Sequence, residues 1–255
     1  MRAIVEDNPR KTVREIAKEL EIDIATISRH LEAIGQVKKL DKWVPHELNN
    51  NQKILRLEIC SSLLTRNQND PFLDLIITCD EKWILYDNRR RSAQWLDRDE
   101  APKHMPKPNL HPKKIMVTVW WSSIGIIHYN FMKSGETITT EKYCREIDIV
   151  HQKLLELWPS LVNQKGFILL HDNARPHISR ITQQKLNELG YEVLPHPPYS
   201  PDISSIDYHF FKHLDLFLRK KLFSDERIIE TAFQQFIESR NRQFFRNGTH
   251  SLVGR

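Results

Sequence analysis

Cysteine and long apolar runs are both scarce in this chain of 255 residues. Its three cysteines, Cys60, Cys79 and Cys144, form no CxxC pair, which favours free thiols in a reducing compartment. The longest apolar runs have about four residues, whereas a membrane helix needs about 20. The start of the chain is dense in charge, unlike a signal peptide. The sequence therefore predicts a soluble intracellular protein that does not span a membrane.

The composition is typical of a folded globular protein, with 40% hydrophobic and 28% charged residues. The length suffices for one sizeable core and a smaller module. The net charge is +5 with 12 histidines beside it, and the pI is about 9.0. A basic balance favours an acidic partner such as nucleic acid, although many enzymes are equally basic.

Residues 12–34 show the pattern of two short amphipathic helices joined by a tight turn. Asp23 in the turn can cap the second helix, and Gly35 is expected to end it. The pattern predicts a helix-turn-helix whose second helix faces a DNA major groove. The candidate DNA contacts are Thr26, Ser28, Arg29 and His30. The alternative is a helical hairpin that packs on a larger domain, and the pattern alone does not decide between them.

A charged linker over 36–41 leads to the motif WVPHEL at 43–48 and a long helical pattern through Leu64. A Trp and a Pro at such a junction usually form a packed corner. Beyond them, the apolar run 72–85 predicts a strand with Asp80 inside it. A carboxylate there is costly unless it is paired, hydrogen-bonded or bound to metal, and the alternative is an edge position facing water.

Residues 86–114 are polar and proline-rich, which is typical of a functional loop or an interaction arm. The run Arg89, Arg90 and Arg91 either holds phosphates or is a solvated loop. Two short strands at 116–121 and 125–131 then form a hairpin with its turn at 122–123, and a helix follows at 141–157.

Phe167 to Leu170 form a short apolar run that predicts a strand buried on both faces. Asp172 follows its carboxyl end, where open α/β sheets bind their ligands. A helix with Ile181, Leu186 and Leu189 on its apolar face comes next. The remaining pattern predicts a strand at 191–194, a helix within 202–221 that starts near Ser204 or Ser205, and a helix at 225–245. The order of elements predicts a mixed sheet flanked by helices.

Asp207 shares the apolar face of the helix at 202–221 with Phe210, Phe211 and Leu214. Together with Asp80 and Asp172 it forms a set of three inward-facing acids. Like charges in a shared site need cations to neutralise them, and hard divalent ions such as Mg²⁺ or Mn²⁺ prefer oxygen ligands. Two such ions about 4 Å apart are typical of phosphodiester cleavage and transfer.

Several motifs spread over nearly the whole chain match one family: WVPHEL, CDEKW around Asp80, HDNARPH around Asp172, and YSPD ahead of Asp207. In addition, 34 residues separate Asp172 from Asp207. Together they resemble the mariner-type DNA transposases of the Tc1/mariner superfamily, including the transposase portion of a methyltransferase–transposase fusion. The resemblance implies an RNase H-like α/β catalytic domain over 71–255. It also implies that Asp80, Asp172 and Asp207 ligate two Mg²⁺ or Mn²⁺ ions.

The same resemblance implies a helix-turn-helix at 1–36, the second of two modules that grip terminal inverted repeats, and a linker at 37–70. The proline-rich insertion at about 89–112 resembles a clamp loop that reaches the linker of a partner subunit in a homodimer. The linker residues concerned are Trp43, Val44, Pro45, His46, Glu47 and Leu48. Double-stranded DNA is the implied partner and the nucleus the implied location.

Three departures from the family pattern bear on activity. The first helix-turn-helix of the family precedes the matching segment, the family's YSPDL reads YSPDI here, and Ser205 stands where proline is common. We expect metal binding and nicking, and a full transposition cycle is less favoured. The alternatives are a non-catalytic protein that binds inverted repeats and an unrelated RNase H-like nuclease. Zinc at His209 and His213 is disfavoured because no cysteine or HExxH pattern accompanies them.

Overall fold

The computed structural model describes residues 2–8, 11–36, 46–90, 99, 101, 104, 106–133, 135–158 and 166–255. The chain divides into two compact units, Met1–Glu47 and Leu48–Arg255. The helix that the sequence analysis assigned to a linker therefore belongs to the second unit. Trp43, Val44, Pro45 and Arg91 lie outside the described residues.

The first unit contains three short helices, α1 (Arg2–Asp7), α2 (Val13–Leu20) and α3 (Ile24–Ala33). Both predicted helices are present, whereas α1 was not predicted. Asp23 caps α3 as expected, since its Oδ2 accepts a hydrogen bond from the Ala25 amide at 2.9 Å. The core of the unit is small and consists of Ile16, Ala17 and Ile27.

The second unit opens with helix α4 (Asn50–Asn69) and then builds a five-stranded sheet in the order β3-β2-β1-β4-β5. The strands are β1 (Ile76–Leu85), β2 (Lys114–Ser122), β3 (Gly125–Phe131), β4 (Ile168–Leu170) and β5 (Glu192–Val193). The first three strands are antiparallel, and β4 and β5 run parallel to β1. The predicted mixed sheet is thus confirmed.

Helices cover both faces of this sheet. They are α5 (Thr140–Leu157), α6 (Arg175–Ile178), α7 (Arg180–Glu188), α8 (Lys212–Leu218), α9 (Glu226–Glu238) and α10 (Arg242–His250). Short 3₁₀ turns occur at Leu73–Leu75, Pro201–Ile203 and Ser251–Gly254. None of the described helices is both long and apolar enough to cross a bilayer.

The two faces of β1 pack against different helices because side chains alternate along a strand. Ile77 and Cys79 join the core cluster that contains Tyr143 and Ile147 of α5. Ile84 joins a second cluster that is rich in phenylalanine and includes residues of α8, α9 and α10. Asp80 pairs with Val119, a member of the second cluster, so its side chain lies on that face. Glu81 lies on the opposite face, toward α5.

The elements that differ most from the sequence predictions are the following four. The strand expected from 72 begins at Ile76 because a 3₁₀ turn precedes it. The hairpin turns one residue later than expected, at 123–124. The helix expected at 202–221 begins as a π-helical segment, Ile206–Phe211, which runs into α8. The single helix expected at 225–245 is two helices, since Asn241 caps a new one through the Phe244 amide at 3.0 Å.

The apolar pattern after β4 was also partly wrong. Ile181 was expected on a buried face, yet it is 60% exposed. Thr182 is buried instead, and its hydroxyl donates a 2.6 Å hydrogen bond to the Pro176 carbonyl. A satisfied hydroxyl can occupy a buried position, which apolar periodicity does not detect.

Candidate active site

Asp80 lies on the central strand of the sheet, between β2 and β4. The alternative that placed it on an edge strand facing water is therefore wrong. Its Oδ1 accepts a hydrogen bond from the Glu81 amide at 2.7 Å. Burial is the largest cause that raises the pKa of Asp80 well above its ordinary value, followed by the charges of Asp207, Glu81 and Asp172.

Asp172 lies two residues past the end of β4, at the carboxyl edge of the parallel part of the sheet. Its Oδ1 accepts hydrogen bonds from the Ala174 amide at 2.9 Å and from Nδ1 of His177 at 2.7 Å. Burial alone would raise the pKa of Asp172, but the hydrogen bond and the charge of His177 hold it below the ordinary value. Asp172 is thus the one acid of the three whose pKa is lowered.

Asp207 projects from the first turn of the π-helical segment. π-turns are rare and occur often at functional sites. Burial raises the pKa of Asp207, a hydrogen bond from Ser204 opposes this, and the charge of Asp172 raises the pKa further. The side chain is half-buried on the same face of the sheet as Asp80.

The three acids act on one another electrostatically although they come from β1, the end of β4 and the π-segment. Carboxylate oxygens that repel each other are suitable ligands for a hard divalent cation, whose charge would relieve the repulsion. Asp80, Asp172 and Asp207 are therefore the residues that could hold such an ion. Among the described residues, no three His, Cys, Asp or Glu side chains converge on one point as a ready ligand set.

His177 is a site residue to which the sequence analysis gave no role. Its ring is fully buried, with Nδ1 2.7 Å from Asp172 and Nε2 3.3 Å from Oε1 of Glu81. Burial alone would lower the pKa of His177, but the hydrogen bonds to Asp172 and Glu81 raise it to about 10. The motif HDNARPH contains this histidine, so the only sequence signal was its place five residues after the acid.

His171, expected to support the site, is buried against Tyr143, with 3.4 Å between its Nδ1 and the tyrosine hydroxyl. Burial, followed by the charge of His177, lowers the pKa of His171 to about 3, so it is neutral. Asp202, expected to be a turn residue, does lie in a 3₁₀ turn and also pairs with both terminal nitrogens of Arg56, at 2.8 and 2.6 Å.

A cavity of about 910 Å³ opens beside Asp207. Its basic lining residues are Lys82, Arg89, Arg90, Lys107, Lys113, Lys212 and Arg219. Two of the three arginines in the predicted phosphate-binding run thus face this cavity. Arg89 is also paired with Asp87, through nitrogens 2.9 and 2.7 Å from its carboxylate oxygens.

The candidate DNA contacts of the first unit lie on α3 around the buried Ile27. Thr26 and Ser28 are half-buried, whereas Arg29 and His30 are exposed. The Arg29 guanidinium donates to the Thr26 hydroxyl at 3.3 Å, so these two side chains form one polar surface. Of the predicted linker contacts, His46 and Glu47 are exposed and Leu48 is half-buried.

The two histidines of the zinc alternative lie on one helical turn, with ring centroids 4.7 Å apart. His213 donates from Nδ1 to the His209 carbonyl at 2.7 Å. His209 packs against Trp121 and Phe244, and burial lowers its pKa to about 4. Their contacts are those of core histidines.

Comparison with known proteins identifies the family. The model of the family "Transposase (partial DDE domain)" matches residues 85–163. The Mariner Mos1 transposase of Drosophila mauritiana is 32% identical over 256 residues, which cover 100% of this chain and 74% of that protein. The chain belongs to the mariner transposase family. The resemblance that the sequence motifs carried is thereby confirmed.

A solved Mos1 transposase paired-end complex with the left transposon end superposes on this mariner transposase with a TM-score of 0.90. The match has 32% sequence identity and covers 100% of this chain and 74% of that chain. The predicted RNase H-like fold is confirmed. Human histone-lysine N-methyltransferase SETMAR is 63% identical over 255 residues, and the chain spans 37% of its length.

Proposed function

We propose that this chain binds transposon inverted repeats and cuts and transfers DNA strands with the help of a divalent cation. The observation that carries the proposal is that Asp80 on the central strand of an RNase H-like sheet lies near Asp172 and Asp207, whose charges raise its pKa beyond the effect of burial. Solved complexes of the relative Mos1 include paired-end complexes with Mg and with Mn and a strand transfer complex. These relatives support the proposal for this chain.

We propose that the three acids would hold two divalent cations, either Mg²⁺ or Mn²⁺. When bound, such ions stabilise the charge that develops on the attacking and leaving oxygens of an in-line displacement at phosphorus. The role of the aspartates is to supply oxygen ligands from three separate elements. Because Asp172 is held in its ionised form by His177, it presents a charged carboxylate to the site.

The basic cavity beside Asp207 would hold the DNA backbone. Phosphate contacts from lysine and arginine supply most of the sequence-independent affinity for DNA. Lys82 lies on the same face of β1 as Asp80, and its Nζ is 3.0 Å from Oδ2 of Asp215. Together with Arg89, Arg90 and Lys212 it gives the cavity a positive lining.

The first unit would recognise the inverted repeat through α3. In a helix-turn-helix the second helix presents its exposed side chains to base edges in the major groove. Here those side chains are Thr26, Ser28, Arg29 and His30. Chromosomal DNA as substrate makes the nucleus the proposed location.

The proposed domain arrangement follows the family resemblance. It comprises a DNA-binding module at 1–36, a linker at 37–70 whose helix α4 is part of the second compact unit, and a catalytic domain at 71–255. Within the last, a clamp over about 89–112 would reach the segment 43–48 of a second copy, so we propose a homodimer.

A plasmid-nicking assay tests the enzymatic proposal. Wild type should nick a supercoiled plasmid that carries an inverted repeat when Mg²⁺ or Mn²⁺ is present, and a chelator should stop it. Asp172→Asn should not nick. Asp148→Asn is the matched control, because Asp148 pairs with Lys185 at 2.7 Å on an exposed part of α5 away from the three acids. Equal nicking by wild type and Asp172→Asn would defeat the proposal.

A second candidate is a protein that holds inverted repeats without cutting them. The observation in its favour is that Oδ1 of Asp172 is already engaged by two donors, the Ala174 amide and His177. Specific binding to an inverted-repeat duplex over a scrambled duplex, with no nicking under either cation, would select this candidate.

A further inference from the structure

One buried imidazole joins two carboxylates that are far apart in the chain. His177 on α6 donates from Nδ1 to Asp172 at 2.7 Å and from Nε2 to Glu81 at 3.3 Å. The side chain of His177 is 0% exposed and that of Glu81 is 11% exposed, whereas Asp172 is 43% exposed. The bridge therefore runs from the sheet interior outward to the acid of the candidate active site.

The surrounding packing fixes the orientation of this ring. Its centroid is 4.3 Å from the ring centroid of Tyr143, and the Tyr143 hydroxyl lies 3.1 Å from Sγ of Cys79 on β1. The His177 amide donates to the Ala174 carbonyl at 2.9 Å, so its backbone is also held. A ring confined in this way offers each nitrogen to one partner only.

Because side chains alternate along β1, the contact of His177 with Glu81 reaches Asp172 from the face of the sheet opposite to Asp80. Asp80 and Glu81 are neighbours, so they lie on opposite faces of the sheet. Asp80 lies on the face that carries Asp207, and Glu81 lies on the face covered by α5. Through His177, Asp172 is therefore tied to the strand of Asp80 from the far side of the sheet.

We propose that His177, anchored by Glu81, is a positioning residue that fixes the Asp172 carboxylate for cation binding. The inference rests on the proposed function and extends it to two residues that do not themselves face the cation. Groups that hydrogen-bond to a metal-ligating carboxylate orient it, and their loss commonly lowers metal affinity by about 10- to 100-fold.

Two amide variants separate the two hydrogen bonds of the ring. In His177→Asn the side-chain nitrogen takes roughly the place of Nδ1, so the bond to Asp172 is retained. In His177→Gln the nitrogen takes roughly the place of Nε2, so only the bond to Glu81 is retained. Both variants are neutral and both lose the ring that packs on Tyr143, so each controls for the other.

The first readout is Mn²⁺ affinity, measured by the electron paramagnetic resonance signal of free Mn²⁺ in the presence of inverted-repeat duplex. The second is the nicking rate at saturating Mn²⁺. We expect His177→Gln to bind Mn²⁺ about tenfold more weakly than wild type or worse, and His177→Asn, which loses only the anchor to Glu81, to show a clearly smaller loss. Equal affinities in the two variants, or a larger loss in His177→Asn, would overturn the proposal.

Melting temperatures identify variants that fail to fold. If both histidine variants unfold, Glu81→Ala replaces them, since it removes the acceptor of the Nε2 donor and with it the anchor of the ring. Weaker Mn²⁺ binding with an unchanged melting temperature supports the positioning role, and unchanged binding overturns it. A wild type that does not nick defeats the proposed function, whereas the ranking of Mn²⁺ affinities still decides the role of His177.

Discussion

The indole nitrogen of Trp120 on β2 donates a 2.9 Å hydrogen bond to the carboxylate of Glu146 on α5. Thr118 and Asn130 donate to the other carboxylate oxygen at 2.8 and 3.2 Å. Glu146 is only 4% exposed, and its three donors lie on β2 and β3. A buried carboxylate that is fully hydrogen-bonded fixes one arrangement of its partners. This network sets the position of α5, the helix that covers the Glu81 face of the sheet.

Glu146→Ala should lower the free energy of unfolding by about 3 kcal/mol, because it takes the carboxylate acceptor away from two buried donors, the Thr118 hydroxyl and the Trp120 indole. Urea unfolding followed by circular dichroism measures the change. Glu156→Ala is the control, since Glu156 is exposed on the same helix and should change stability by less than about 0.5 kcal/mol. Equal effects of the two substitutions would contradict the role of the network.

Asp80→Asn should stabilise the protein when no divalent cation is present. The neutral amide removes one charge from the repelling set and keeps an oxygen to accept from the Glu81 amide. Because repulsion and burial raise the pKa of Asp80, the gain should appear above the ordinary carboxyl pKa and vanish in acid. We expect at least about 1 kcal/mol near neutral pH.

Thermal unfolding in a chelator and in Mn²⁺ checks this expectation. The variant should melt above wild type in the chelator and lose that advantage in Mn²⁺, while its nicking is abolished. A lower melting temperature than wild type in the chelator would show that the acids do not repel one another.

The Arg56–Asp202 pair should make stability depend on pH. The hydrogen bond from Arg56 is the main cause that lowers the pKa of Asp202. A lowered carboxyl pKa stabilises the fold above the ordinary pKa, and the contribution is lost as the pH falls through the lowered value. The difference in unfolding free energy between wild type and Asp202→Asn should therefore shrink on acidification below a pH of about 4.

The size of this effect should be below about 1 kcal/mol, because the Asp202 side chain is 55% exposed and solvent screens the pair. Urea unfolding at a series of pH values measures it. In an Arg56→Gln background the same comparison should show no such pH dependence. A difference that persists there would assign the effect to another partner.

Arg29→Ala should weaken binding to an inverted-repeat duplex by roughly 1 kcal/mol or more if α3 enters the major groove. Fluorescence anisotropy at fixed salt measures the affinity for the repeat and for a scrambled duplex. Lys18→Ala is the control, because Lys18 is an exposed base on α2. A loss that is the same for both duplexes would make Arg29 a phosphate contact without sequence preference.

Features that depend on neighbouring residues could be predicted from the sequence. The Asp23 cap involves an amide two residues away, and the buried run before Asp172 is a continuous strand. Asp23 and Asp172 could therefore be predicted from the residues next to them in the sequence. The three-acid set was predicted from carboxylates that lie within or next to apolar patterns, and the family motifs matched the same three residues.

Features that depend on distant residues could not be predicted. The contact between His177 and Glu81 spans 96 residues, and nothing near either one indicates the other. The π-helical segment is equally hidden, because a helical apolar pattern does not distinguish π from α winding over one turn. Its residues pack with Trp121 and Phe245, which come from β2 and α10.

The π-helical segment that carries Asp207 affects which sequence changes the site can tolerate. A π-turn holds one more residue than an α-turn, so loss of one residue after Asp207 within Ile206–Phe211 could be absorbed by ordinary winding. After that deletion, the residue that is Lys212 here would stand four positions after Asp207 in an α-turn, where it now stands five positions after it in a π-turn, so the Asp207 carboxylate would keep roughly its direction relative to α8. A descendant could therefore lose one residue of this segment and still direct all three aspartates toward the same site.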